Sequence, residues 1–154
     1  MLKTNVMRLL DVHQIHYVPH EYDESIVNGM EVAMALNEDP DCVFKSLVCE
    51  NEKHAHFIFE VPVNQELNLK KAAIASGSKS IAMIKQKDLL SLTGYVHGGC
   101  SPIGLKKPMP VFIDETAELF DTIYISAGRR GYQVELSPLD LEKFVGGEFV
   151  SLSD

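Results

Sequence analysis

The stretch Cys42-Val43-Phe44-Lys45-Ser46-Leu47-Val48-Cys49 decides the fold. It is rich in β-formers and ends at the turn-like Glu50-Asn51-Glu52; His54 to Val63 then reads as a second strand, which makes a hairpin. Upstream, Val6, Leu9 and Leu10 stand at helical spacing, so a short helix is expected over Asn5–His13. Pro19 discourages helix over Ile15–His20, which reads as extended, and Met30–Leu36 reads as a second short helix. Downstream, Asn68 can cap a helix over Leu69–Ser76, and Gly77 sits where a C-terminal cap belongs. A strand at Ser80–Ile84, a helix at Lys85–Leu92 and a strand at Pro110–Ile113 follow. Ile123–Ser126 and Tyr132–Leu136 read as a hairpin joined by Ala127-Gly128-Arg129-Arg130-Gly131. Ser137-Pro138 starts a last helix, and Phe149–Leu152 is a final short strand. Strands outnumber helices and hairpins outnumber crossovers. The expected class is α+β: one domain over residues 1–154 with a mixed, largely antiparallel sheet flanked by short helices.

Composition narrows the function classes. With 154 residues and 45% hydrophobic content, the chain can bury a sizeable core. No apolar run approaches the ~20 residues of a membrane span, and Met1-Leu2-Lys3-Thr4-Asn5 lacks the core of a signal peptide. Three cysteines, Cys42, Cys49 and Cys100, form an odd set without metal-ligand spacing, which suits a reducing cytoplasm. The net charge of −8 argues against indiscriminate nucleic-acid binding. Its distribution is uneven: residues 1–69 carry 4 basic and 12 acidic groups, whereas residues 70–131 carry 9 basic and 5 acidic. Phosphate contacts are expected from that second segment if the partner is a nucleic acid.

Two features stand out chemically. Gly94-Tyr95-Val96-His97-Gly98-Gly99-Cys100-Ser101-Pro102-Ile103-Gly104 leaves the backbone bare, so that N–H groups can gather around an oxyanion or carbonyl oxygen. Lys45 lies in a strand whose two faces both read as buried, Val43 and Leu47 on one and Phe44 and Val48 on the other. An ammonium there must find partners or lose pKa. Other patterns carry less. Gly99 to Gly104 fits the front of a P-loop, but Leu105 stands where lysine is required, and Gly-X-Ser-X-Gly is absent. His54 and His56 share a strand face without a third ligand at suitable spacing, so no metal site and no cofactor are expected. His97 beside Cys100 leaves open a cysteine nucleophile, although Cys100 can equally be a packing residue.

Taken together, Val43-Phe44-Lys45-Ser46-Leu47-Val48, Leu67-Asn68-Leu69-Lys70-Lys71, the loop ending Ser101-Pro102-Ile103-Gly104, Tyr124-Ile125-Ser126-Ala127-Gly128-Arg129-Arg130-Gly131 and Val134-Glu135-Leu136 resemble the YbaK-type aminoacyl-tRNA editing family, related to the editing domain of prolyl-tRNA synthetases. The resemblance runs from about Asn5 to Leu152, and the glycine loop with its trailing Lys106-Lys107 is most similar to Cys-tRNA(Pro) deacylases. It implies a compact fold around a partly closed sheet and hydrolytic removal of a wrong amino acid from tRNA. It also implies Lys45 as the essential residue, and Gly98, Gly99, Ser101, Pro102 and Gly104 as the substrate-pocket loop. His20 stands where family members often carry tyrosine, and its reach can preserve a hydrogen bond there. The implied partners are the acceptor end of an aminoacyl-tRNA and a prolyl-tRNA synthetase. In the family, the cysteine substrate's own thiol is thought to attack its ester. The alternatives are an Ala-tRNA(Pro) deacylase using water and a non-catalytic binder of tRNA or acyl ends.

Overall fold

A computed structural model describes residues 1–154. The decisive hairpin forms, its first strand shifted two residues toward the tip and its second shortened at both ends: β2 (Phe44–Asn51) and β3 (His56–Pro62) pair antiparallel from Phe44↔Pro62 to Glu50↔His56. Asn51 stays in the strand and organises the turn instead of forming it. Its Oδ1 accepts from the Lys53 and Ala55 amides at 2.9 Å each, while His54 takes a left-handed φ of 60°. The hairpin then grows on both edges. β4 (Ile81–Met83) joins β2 antiparallel, β5 (Val111–Asp114) joins β3 parallel, and β8 (Glu148–Val150) joins β5 parallel. A second sheet, in the order β1-β7-β6, is antiparallel throughout: β1 (Val18–Glu21), β7 (Tyr132–Leu136) and β6 (Ile123–Ser126). The α+β class and the mixed, largely antiparallel pairing hold.

The expected partial closure does not. The five-stranded sheet, β4-β2-β3-β5-β8, ends in two three-residue strands, and only one isolated bridge, Val43↔Tyr124, links it to the three-stranded sheet. Closure needs a continuous ladder around the seam, and one bridge does not supply it.

Local chemistry explains the helices. Thr4 Oγ1 accepts from Met7 N at the start of α1 (Asn5–Val12), and Asn28 Oδ1 accepts from the Met30 and Glu31 amides at the start of α2 (Gly29–Ala35). Asn68 and Gly77 bracket α3 (Leu69–Ser76) as read from the sequence, and Ser137-Pro138 opens α5 (Pro138–Val145). The expected Lys85–Leu92 helix is instead a 3-10 turn at Gln86–Asp88 followed by α4 (Leu89–Thr93). The larger sheet is buried on both faces. Phe44, Val48 and Ile58 pack with α1, α5 and the second sheet, while Cys49, Phe57, Phe59 and Val61 pack with α3 and Leu152. Phe59 and Phe112 stack at 5.5 Å in that second layer.

One irregularity positions the site. β4 reaches β2 only at Cys49–Asn51, with Ile84 N donating to Val48 O just beyond it. From Phe44 to Leu47 that edge of β2 has no strand beside it, apart from the bridge at Val43.

Candidate active site at the open edge of the hairpin

A cavity of about 470 Å³ fills the gap. Six consecutive residues, Val43 to Val48, form one wall. Such continuity is what a strand edge presents, since successive side chains alone point to opposite faces. Val27, Asn28, Gly29, Met30 and Val32 close it from the α2 side, and His97, Gly98 and Cys100 from the glycine loop. Gly29 is required there: a Cβ would lie 2.6 Å from Val63 Cγ1, so the helix can approach Val63, just past the end of β3, only bare.

Lys45 is half-buried on this wall. No carboxylate lies within 4 Å of its Nζ. Burial lowers its pKa, and the more distant Glu66 only partly offsets this. The cation thus keeps part of its charge-stabilising capacity for something that enters the cavity.

Beneath the wall lies a group that sequence reasoning missed. Glu60 is fully buried and stands opposite Ser46 in the β2–β3 register. Ser46 Oγ donates to Glu60 Oε1 at 2.8 Å, and Glu60 Oε2 has no partner. Exclusion from water pushes the Glu60 carboxyl up to about 8, so it is mainly protonated at neutral pH. Gln133, 5% exposed, also lines the cavity, and its Oε1 is likewise unpartnered. Buried polar atoms are normally bonded, so the Gln133 orphan on the cavity wall marks it as a place built for a polar guest, and a second orphan, on Glu60, lies behind the lining residue Ser46. The only sequence signal was a glutamate inside a strand whose neighbours are all apolar.

The glycine loop divides. Gly98 touches the cavity with a left-handed φ of 87°, and a Cβ there would meet Val27 Cγ1 at 2.9 Å. Gly99, Ser101, Pro102 and Gly104 do not line the cavity. Gly99 packs on the Arg129–Arg130 backbone, and Ser101 is fully buried with its Oγ accepting from Ile103 N. Pro102 is buried, and Gly104 lies against Leu9 and the Tyr95 hydroxyl, which donates to Ile103 O. His20 is also elsewhere: its Nε2 lies 3.0 Å from Glu135 Oε1, and its ring packs at 5.2 Å from Tyr124. His54 and His56 flank the hairpin tip beside Glu50, away from the cavity.

His97 and Cys100 both border the cavity, but no hydrogen bond joins them. Burial, reinforced by Glu60, pushes the Cys100 thiol up to about 12. The thiol is the wrong species for a nucleophile.

Residues 23–144 match the aminoacyl-tRNA editing domain family. The chain belongs to that family. An Enterococcus faecalis protein carrying the provisional name Cys-tRNA(Pro)/Cys-tRNA(Cys) deacylase EbsC is 40% identical over 153 residues, covering 98% of this chain and 93% of that protein. The proline–tRNA ligase of Shouchella clausii is 30% identical over 102 residues, 66% of this chain and 18% of the ligase. In fold, this editing domain superposes with a TM-score of 0.85 on a crystal structure provisionally described as a trans-editing enzyme for prolyl-tRNA synthetase, at 24% identity, covering 100% of this chain and 99% of the other. No helix of the editing domain is long and apolar enough to cross a membrane.

Proposed function

We propose that this editing domain, acting over residues 1–154 as a single unit in the cytoplasm, deacylates Cys-tRNA(Pro), with Lys45 as the catalytic residue and no cofactor. The observation that carries the reading is the half-buried Lys45 cation, without a carboxylate within 4 Å, on the wall of a 470 Å³ cavity. The resemblance to EbsC supplies the substrate.

An aminoacyl ester is already activated. It needs charge stabilisation at the carbonyl oxygen and a placed nucleophile. Lys45 provides the first, and Gly98 borders the same cavity, its bare Cα packed against Val27. The orphaned Gln133 Oε1 is an acceptor suited to the substrate's α-ammonium. No protein nucleophile is needed. The substrate sulfur attacks its own carbonyl carbon, the C–S bond forms as the ester C–O bond breaks, and the ribose oxygen takes up the thiol proton. A thiol of pKa ~8.5 supplies a few per cent thiolate at neutral pH, whereas an alcohol supplies almost none. Serine is therefore rejected by reactivity where size alone discriminates poorly.

The test is a deacylation panel with purified protein: cysteinyl, S-methylcysteinyl and alanyl esters on tRNA(Pro). Loss of cysteinyl but not S-methylcysteinyl ester is the expected result. Equal hydrolysis of alanyl and S-methylcysteinyl esters would replace the thiol with water. Tight binding with the ester left intact would make the protein a binder. Adding prolyl-tRNA synthetase to the same panel tests the expected cooperation with that enzyme.

A further inference from the structure

A second depression, about 430 Å³, lies across the 127–131 loop from the cavity and is lined by Lys3, Thr4, Asn5, Arg8, Gly128 and Arg129, with Leu2 at its margin. The chain has only three arginines, Arg8, Arg129 and Arg130, and all three gather in this region although the first is separated from the others by most of the sequence. All are exposed, and none lies within 4 Å of a carboxylate. In a chain of net charge −8, all three arginines thus keep their guanidinium forks free of a direct carboxylate partner, although Asp11, Glu21 and Glu24 stand nearby. Guanidinium forks are the side chains best matched to phosphate oxygens.

The loop connects this depression to the cavity. Ser126, at its start, lines the cavity, and Gly128 and Arg129 line the depression. Arg130 stands between: its Nε donates to His97 O at 2.7 Å, and His97 is itself on the cavity wall. That bond fixes the guanidinium while its terminal nitrogens make no bond to protein. Lys3 adds a cation at the same spot, partly committed to Asp11 at 2.5 Å. Gly128 keeps the passage close: a Cβ would sit 2.9 Å from Val6 Cγ2 in α1.

We infer that the depression formed by Lys3, Arg8 and Arg129, with Arg130 as its link to the cavity, is a docking track for the phosphodiester backbone of the tRNA acceptor end. The inference rests on the proposed reading of the cavity, since it assumes that the esterified 3′ end enters beside Lys45. The strand then leaves past Arg130 and sets its phosphates on Arg8 and Arg129. The contacts are to backbone, so they supply affinity without reading sequence.

The experiment measures binding of an uncharged tRNA transcript, by fluorescence anisotropy, as a function of salt. Uncharged tRNA carries no ester, so the result is independent of whether the cavity is catalytic. The double variant Arg8→Ala/Arg129→Ala is expected to bind at least tenfold more weakly at 50 mM salt, with the log–log salt slope smaller by about 2. Lys53→Ala, at the hairpin tip, is the remote control and is expected to stay within twofold of the unsubstituted protein. Both arginines are exposed, and an unchanged melting temperature verifies the fold. An affinity and slope unchanged in the double variant overturn the inference, as does an unsubstituted protein that binds no tRNA. Salt-sensitive binding lost in the double variant, in a protein that fails to deacylate any ester, would keep the track and sink the proposed activity.

Discussion

The glycine loop and the β2 edge make opposite use of their sequences. The loop, four glycines in eleven residues, looks made for a ligand, yet most of it is packing: Ser101, Pro102 and Ile103 are buried, and Gly104 rests on α1. The β2 segment reads as an apolar strand carrying one lysine, yet Val43 and the first five residues of β2 all line the cavity. A bare backbone has two uses, approach by a ligand and approach by the protein itself, and composition does not distinguish them. A strand edge becomes available to a guest when its neighbour stops short, as β4 does at Cys49.

If the catalytic weight sits on the strand, Lys45→Ala should produce the largest effect. Deacylation should fall by about 10²–10³-fold, the range for losing one stabiliser of a developing oxyanion. The melting temperature should stay the same or rise, because a partly desolvated cation has been removed. Full activity in that variant would reverse the comparison and return the chemistry to the loop.

Glu60→Gln sharpens the strand side through pH. Below the ordinary carboxyl value of 4.5, folded and unfolded chains both hold the Glu60 proton. Between there and about 8 the unfolded chain releases it while the folded chain keeps it. Glu60 therefore makes stability fall as pH rises through this window, with a slope approaching about 1.4 kcal/mol per pH unit, and the loss levels off above it. The glutamine variant keeps a partner for Ser46 and lacks this titration. Its melting temperature should match the parent near pH 4 and exceed it most near pH 8. Parallel curves across the range would mean that the buried carboxyl does not titrate as described.

This contrast also explains what the sequence made legible. The hairpin, the Asn68 and Ser137 caps and the problem of a cation in an apolar strand at Lys45 are local, and alternation or capping chemistry reveals them. Glu60 is different: its partner, Ser46, lies across the hairpin, so its importance depends on register. Gln133 comes from another sheet entirely. Likeness to a tyrosine places His20 in the pocket, but β1 pairs with β7 and its imidazole meets Glu135 there. The open sheets were missed for the same reason, since closure depends on whether β2 and β6 extend their pairing beyond one bridge, a matter of three-dimensional fit.

On the loop side, Gly104→Ala should cost about 1–3 kcal/mol of stability. Its φ of 73° disfavours a side chain, and the new Cβ would lie 3.0 Å from both Leu9 Cδ1 and the Tyr95 hydroxyl. Turnover of the folded fraction should stay near the parent's, because Gly104 lies off the cavity wall. Denaturant unfolding and single-turnover rates, measured on one preparation, separate the two. A variant that is stable but inactive would place the loop's far end in the chemistry.

The smallest effect belongs to His20→Ala. Its partner Glu135 also accepts from Thr122 Oγ1 at 2.7 Å, so the carboxylate keeps one bond when the imidazole is removed. Both members of the pair are partly exposed, and such contacts contribute at most about 1 kcal/mol. Because the ring faces Glu135 and Tyr124 and not the cavity, the deacylation rate should change by less than about threefold. A His20→Ala loss comparable to that of Lys45→Ala would require the ring to swing away from Glu135 when tRNA binds. The active site would then extend onto the three-stranded sheet, and the division between strand edge and surroundings would have to be redrawn.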